Sequence, residues 1–574
     1  MMMRDGPHRY IGACAMSLPS TIHASVGQSL IGKVSRLFNN GVADVLAELL
    51  QNARRAGAHE IDIEVIEAGD RKFLVLRDDG SGIDDPAKIL TLGDSGWSGD
   101  IARSEDPAGM GVFSLAGRYV EIRSYSPTLG TGWRVVIPPE AWESGAPLSI
   151  EPCDIGSGTE IRIDMPEAWQ RDLPSAASNA ARHYPLPVRY RGDKLDREDF
   201  LAGACRIEEW QGCRIGVYRD RGSWPTSYPR FNFHGLTVLC PMPSVTEVGV
   251  DRCWQVRVDI LESAVLHLVL PARKEMVQNA ALENLREAAE RAIYRTIAES
   301  PGHRLAYAQW LRAQELGVDL AEAEPWLPVW LPHTADGMRN GEFERIADVP
   351  MILFPERGPA IEQCAARVLE RGDPLGGKLV CEVTAFTGYR WYDRLPRIAR
   401  LSFAISTEAG MFRFEDDQVP LTGLESGRVT SIRLDVAVRL PDHGEDKASS
   451  HVIPADVLIL PDDGWSSDLD TVMVLLAQSC TIDPEDLAIL LEDACFCAGD
   501  DADHDSWETQ WREFRMRARQ VANTLLLGED AAILERIRDI VSEEVAWLIP
   551  AGRKVNILTG EASVELSFAD DAGM

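Results

Sequence analysis

The chain has 574 residues, too many for one hydrophobic core, and two to four domains are expected. Its composition, 45% hydrophobic and 26% charged, is ordinary for a soluble globular protein. A net charge of −32, from 90 acids and 58 bases, repels duplex phosphate at long range and makes nucleic acid a poor default partner, one local basic groove aside. No run of about 18 apolar residues occurs, so no membrane-spanning helix is expected. The first twenty residues lack an apolar secretory core, which predicts a cytoplasmic protein. Eleven cysteines are scattered without a CxxC pair, the pattern of reduced and mostly buried thiols.

In chain order, Val42, Val45, Leu46, Leu49 and Ala53 recur at helical spacing. Ile61, Ile63 and Val65 then alternate as a strand, Glu67 to Asp70 form a hairpin turn, and Phe73 to Leu76 return and deliver Asp78 to a loop. Gly/Ser/Asp-rich sequence fills 93–111, and VFSLAGRYV after it predicts a helix. Strands resume at YVEIRSYS, GWRVVIP and GTEIRIDMP, which completes a first domain over 1–168. A second domain over 169–300 holds strands CRIGVYR, LTVLCPM, CWQVRVDIL and VLHLVLP, then a helix (279–300) with Leu282, Leu285, Ala289 and Ile293 on one face. Residues 301–465 read as a linker and strand-rich domain, whose Trp310, Trp326 and Trp330 are expected to pack rather than bind. Residues 466–574 read as mainly helical, ending on strands VNIL and ASVELSF. The class expected is α+β, multidomain.

Four pieces of the first domain carry chemistry. Glu48 and Asn52 are four residues apart and share a helix face. A neutral carboxamide oxygen such as that of Asn52 suits one corner of an octahedral Mg²⁺, and Glu48 can activate a water, worth about 10²–10⁴ in rate. Asp78 can accept a hydrogen bond from an adenine amino group, beside Gly80 and Gly82, which permit close backbone approach. Gly109 and Gly111, just before the predicted helix, can aim N–H groups at phosphates. Thr159 opens a strand after Gly158. Taken singly, these read as a solvated helix face, a hairpin turn, an ordinary loop and a strand start. Their order and spacing together point elsewhere.

In that order the chain resembles the GHKL ATPase superfamily, which includes Hsp90, the MutL proteins, type II topoisomerase ATPase subunits and histidine kinases. Its N box matches Glu48–Asn52, its first glycine box Asp78 to Gly82, its second Gly109 to Gly111 and its threonine motif Gly158-Thr159. The resemblance implies an N-terminal Bergerat α/β sandwich binding ATP and Mg²⁺, with Asn52 on the metal. It also implies a mobile lid over about 84–108, whose Gly-Asp-Ser-Gly run is similar to that of Hsp90. Histidine kinases usually lack the glutamate and carry the domain at the C-terminal end, so the leading position and Glu48 favour hydrolysis.

In the second domain, LVLPARKEMVQNAALENL (268–285) resembles the transducer segment whose cation reaches the γ-phosphate in Hsp90, MutL and topoisomerase relatives. Lys274 is the best match and Arg273 the next; such a cation stabilises charge on the transferring phosphoryl group. PRFNFHGLTV (229–238) resembles a Phe-x-Asn-Gly strand of the same domains, with Phe233 and His234 intervening between Asn232 and Gly235. The resemblance therefore implies an Hsp90/MutL-like ATPase, a nucleotide-dependent homodimer that orders its first 40 residues on closure and acts on a protein client through residues 301–574. The rivals are an ATP-gated interaction switch with negligible turnover and a DNA repair or topology factor.

Overall fold

The computed structural model describes residues 41–90, 111–144, 147–269, 275–337, 341–415, 423–440, 448–461, 468–499, 505–560 and 563–569. Gly109, Arg273, Lys274, the first 40 residues and, of the lid expected over about 84–108, residues 91–108 lie outside them. The chain divides into two compact units, 1–246 with 251–299, and 247–250 with 300–574. Each is mixed α/β with more than one sheet.

In the first unit, helix α1 (Val42–Arg55) buries Val42, Val45, Leu46, Leu49, Leu50 and Ala53, the stripe its spacing predicts. It lies against helix α2 (Glu167–Arg182). Strands β1 (Ile61–Ala68), β2 (Arg71–Asp78), β3 (Val120–Ser126), β4 (Thr131–Ile137), β5 (Ile150–Cys153), β6 (Thr159–Asp164), β7 (Val188–Tyr190) and β8 (Asp193–Lys194) form one sheet. Its order is β5-β4-β3-β6-β2-β1-β7-β8. Neighbours are antiparallel except β1 and β7, which run parallel. Ile61, Ile63, Leu74, Leu76, Ile122 and Ile163 from the sheet meet Trp169, Leu173 and Ala177 of α2 in one core. This layer thus continues past residue 168, because β7 pairs with β1.

Two local expectations fail here. VFSLAGRYV is not a helix: Gly111–Leu115 make a single 3₁₀ turn and Val120 already starts β3. Gly117, at φ +81°, ends the helical path. VLHLVLP forms no strand among its described residues, only an isolated bridge from Leu268 to Met276.

The second sheet of this unit contains β9 (Arg206–Trp210), β10 (Cys213–Asp220), β11 (Phe231–Phe233), β12 (Leu236–Val238), β13 (Val245–Thr246) and β14 (Cys253–Ile260). Its order is β12-β11-β14-β10-β9, with β13 on β14. Helix α3 (Ala280–Ala298) packs on it, and Asn279 caps that helix by accepting from Leu282 N at 2.9 Å.

The second unit begins with helix α4 (Tyr307–Glu315) and a small ribbon of β15 (Trp326–Pro328) and β16 (Phe343–Arg345). Strand β17 (Met351–Phe354), helix α5 (Pro359–Leu369) and strand β18 (Lys378–Cys381) make a parallel crossover. Strands β19 (Arg397–Thr407), β20 (Gly410–Glu415), β21 (Gly427–Val429), β22 (Ser431–Arg439), β23 (Ala448–Ala455), β24 (Val457–Leu460) and β25 (Met473–Ala477) follow. They give a six-stranded sheet, β18-β17-β19-β22-β23 with β20 on β19, and a three-stranded sheet, β21-β25-β24. Helices α6 (Pro484–Cys495), α7 (Trp507–Leu527) and α8 (Glu529–Ile540) follow, and β26 (Val555–Gly560) pairs antiparallel with β27 (Ser563–Phe568). Trp330 does pack: it stacks on Phe354 with ring centroids 4.1 Å apart. No helix among the described residues is long and apolar enough to cross a membrane.

Glu362 on α5 is fully buried. It accepts from Trp330 Nε1 at 3.2 Å, His333 N at 3.0 Å and Arg357 N at 2.8 Å. Burial raises its carboxyl pKa against those bonds. Glu362→Ala removes the acceptor of three donors at once, and a loss of about 3 kcal/mol is expected, read as a lower midpoint in urea unfolding.

Candidate nucleotide site

The centre of the first sheet sets Asp78 of β2 directly opposite Thr159 of β6, and Thr159 opposite Ser124 of β3. Two residues 81 positions apart in sequence therefore share one end of adjacent strands, which register alone dictates. Asp78 Oδ1 accepts from Gly80 N at 3.0 Å. Burial pushes the Asp78 carboxyl up to about 6, aided by the neighbouring charge of Asp79, while backbone bonds from Gly80 and Thr159 pull the other way. Thr159 Oγ1 and Ser124 Oγ are 2.8 Å apart, and Ser124 Oγ also accepts from Ile83 N at 2.9 Å. A half-buried carboxylate thus sits at the edge of a hydroxyl-lined floor.

The glycines fit this floor for steric reasons. Gly82 has φ +76°, and a Cβ there would stand 2.1 Å from the Tyr125 carbonyl oxygen. Gly158 has φ +68°, and its Cβ would stand 1.9 Å from the Asp78 carbonyl oxygen. At Gly80 a Cβ would meet Ala56 Cβ and O at 2.8 Å. Gly158→Ala combines the strained φ with a backbone clash that no rotamer relieves. A loss of about 2–4 kcal/mol is expected, measured by urea unfolding, together with weakened nucleotide binding.

Helix α1 comes to this floor through its C-terminal end. Ser81 N donates to Ala56 O at 2.8 Å, and Asp79 Oδ1 accepts from His59 N and Glu60 N at 2.6 and 3.1 Å. Glu48 and Asn52 lie on the partly exposed face of the helix, off its buried stripe. Asn52 Oδ1 accepts from Arg55 Nη1 at 3.4 Å. Gly111 begins the 3₁₀ turn that packs against α1. The fold therefore brings the helix of Glu48 and Asn52, the Asp78 to Gly82 turn, Thr159 and the Gly111 turn together. Gly109 and Lys274, outside the described residues, are not part of this geometry.

Several residues here escape a motif reading. Ser124 and Ser126 are fully buried, following Val120 and Ile122 on the same face of β3. Two hydroxyls continuing an apolar alternation are the signal in YVEIRSYS. Asp84 Oδ1 accepts from Ser126 Oγ and Thr128 N, both at 2.9 Å, and ties the segment after the Asp78 to Gly82 turn to the end of β3. Gln51, between Glu48 and Asn52 in sequence, is 4% exposed and carries no motif signal.

No protein-family model matches the chain. Among known proteins it is similar to the DNA mismatch repair protein MutL of Shewanella pealeana, 31% identical over 217 residues, which are 37% of this chain and 31% of that protein. The MutL proteins of Shewanella halifaxensis and Shewanella piezotolerans are 30% identical over 169 residues and 26% over 228. They align over 29% and 39% of this chain and 24% and 33% of their own lengths. The chain thus spans about a third or less of the relatives it matches. These likenesses give no support to a special closeness to Hsp90, nor to setting nucleic acid aside on the strength of net charge. What the partial likeness to MutL, a GHKL ATPase, does support is kinship with the GHKL superfamily and, more weakly, ATPase activity.

Proposed function

We propose that the chain is an ATPase of the GHKL kind, a Bergerat α/β sandwich followed by a transducer-like sheet, which hydrolyses Mg-ATP to drive lid closure, dimerisation and partner remodelling in the cytoplasm. The observation that carries this reading is the register of Asp78 against Thr159, beneath a helix bearing Glu48 and Asn52. The half-buried Asp78 carboxylate accepts the adenine amino group, and Gly80 and Gly82, whose Cβ positions are taken by Ala56 and by the Tyr125 carbonyl, allow the tight turn that carries it. Asn52 holds the Mg²⁺, which neutralises phosphate charge when bound. Glu48 orients and deprotonates the attacking water. Backbone N–H groups at Gly109 and Gly111 cradle phosphate oxygens. Lys274 answers the charge that develops on the γ-phosphoryl group and reports its loss to the rest of the chain. Residues 301–574 engage the protein client.

Calorimetric titration with ATP, and with GTP as control, tests the adenine assignment. Tight ATP binding with GTP at least tenfold weaker is expected, since guanine presents a carbonyl where adenine presents its amino donor. Equal affinities would overturn the placement of Asp78.

The likeness to proteins named for DNA mismatch repair favours a second reading, in which the partner remodelled is a DNA repair assembly. A gel-shift titration across salt concentration separates the two. Duplex binding that weakens steeply with salt supports the repair reading, and absence of a shift at low salt removes it.

A further inference from the structure

Gln51 lies between the two residues proposed for chemistry and points the other way, into the protein. It is 4% exposed. Its Nε2 donates to the carbonyl of His234 at 2.9 Å and lies 3.5 Å from that of Phe233. Those carbonyls belong to the β11–β12 hairpin of the second sheet. The turn of that hairpin is His234-Gly235, with φ +53° and +95°. Positive φ at both centres of a two-residue loop is the type I′ turn, which suits the strand twist but strains a histidine. It also explains the intervening residues noted in PRFNFHGLTV: His234 takes the turn position, and Asn232 serves inside.

The hairpin is braced so that these carbonyls stay in place. Asn232 Oδ1 accepts from Gly235 N at 2.8 Å, and its Nδ2 donates to Asp259 Oδ1 at 2.7 Å. Asp259 Oδ2 in turn takes Arg214 Nη2 at 2.5 Å. A second contact reaches the same helix turn: the Tyr184 hydroxyl donates to Leu50 O at 2.5 Å. Gly235 packs on Tyr184 so closely that a Cβ would come within 2.8 Å of Tyr184 Cα. One turn of α1 is thus gripped from behind, by a side-chain bond at Gln51 and a backbone bond at Leu50, both leading to the second sheet or the residues under it.

We propose that Gln51 is a positioning residue that keys the helix bearing Glu48 and Asn52 to the His234-Gly235 turn, so that any displacement of the second sheet is transmitted to the catalytic face of α1. Its kinetic consequence rests on the ATPase reading above. Gln51 touches no reacting group, so its loss acts on geometry. Small misplacements of a catalytic group lower turnover far more than they lower binding.

The test uses the full chain and the Gln51→Met variant, which keeps length and volume but removes the amide donor. At saturating ATP, kcat is expected to fall by roughly tenfold or more while nucleotide affinity stays within about threefold. Gly235→Ala, which drives the turn off Tyr184 from the opposite side, is expected to give the same split. The double variant is expected to lose no more than the worse single one, because both break one link. In nucleotide-free protein, amide exchange in 42–55 and in 231–238 is expected to rise together in Gln51→Met. An unchanged kcat, a parallel loss of affinity and turnover, or additive losses in the double variant would overturn the assignment. A wild-type chain that turns over no ATP would instead sink the ATPase reading. Exchange then decides: a joint rise in both segments sustains the link, and a rise confined to α1 refutes it.

Discussion

Glu48→Ala is expected to keep ATP binding and to cut hydrolysis by about 10²–10⁴-fold. The expectation follows from where the side chain stands. Glu48 lies on the partly exposed face of α1, away from the stripe of Val45, Leu46, Leu49 and Ala53 that holds the helix to the sheet. Truncation there leaves the core intact, so the thermal midpoint should move little. The carboxylate shares its face with Asn52 one turn on, and Asn52 would hold the Mg²⁺ there. Removing the base while keeping the carboxamide therefore separates turnover from binding. Single-turnover hydrolysis beside equilibrium binding of ATP checks it. A variant that hydrolyses as fast as the wild-type chain, with both near zero, would favour an interaction switch that reads ATP without consuming it. A variant that loses affinity in step with rate would move Glu48 from chemistry to binding.

What the sequence made legible, and what it did not, divides along a physical line. Helix α1 was readable because a stripe at 3.6-residue spacing is local, and β1 and β2 because alternation and an intervening Gly69 turn are local. The opposition of Asp78 and Thr159 was not local: it comes from a strand order, β3-β6-β2, that joins residues 81 positions apart. Only the order of motifs in the chain suggested it. The predicted helix after Gly111 failed because Gly117 at positive φ overrides an apolar run, a conformational demand that composition does not reveal. The layer boundary at 168 moved because β7, three residues long, joins the first sheet by parallel pairing with β1, and a segment so short carries no period. Ser124 and Gln51 were silent for a different reason. Each acts through a buried contact with a distant segment, and nothing beside them in sequence marks that partner.

Asp78→Asn is expected to make the nucleotide-free chain more stable and ATP binding weaker, and the two opposite signs are what identify the site. The folded-state pKa of Asp78 stands at about 6, raised from an ordinary value of 3.8 by burial. A carboxyl whose folded pKa lies above its unfolded one binds protons more readily in the folded chain, so its contribution to stability falls as pH rises from 3.8 through about 6. Above that window the wild-type chain carries a desolvated charge that asparagine lacks. The variant should therefore unfold at a higher temperature at pH 8, by an increment on the order of 2 kcal/mol, and the advantage should shrink as pH falls through 6. Asparagine can still accept from Gly80 N through Oδ1, so the local turn is kept. Nucleotide affinity moves the other way. A charged acceptor for the adenine amino group becomes a neutral one, and a loss of about tenfold to a hundredfold is expected. Wild-type affinity should also decline more steeply than that of the variant as pH falls through 6 and Asp78 takes up its proton, the protonation of ATP itself being common to both. Differential scanning calorimetry and ATP titration across pH 5 to 8 measure both. A carboxylate kept only for the fold would show loss of stability on replacement and no pH-linked affinity, so the paired outcome, stability gained where binding is lost, is the mark of a group held in an unfavourable state for the sake of its ligand.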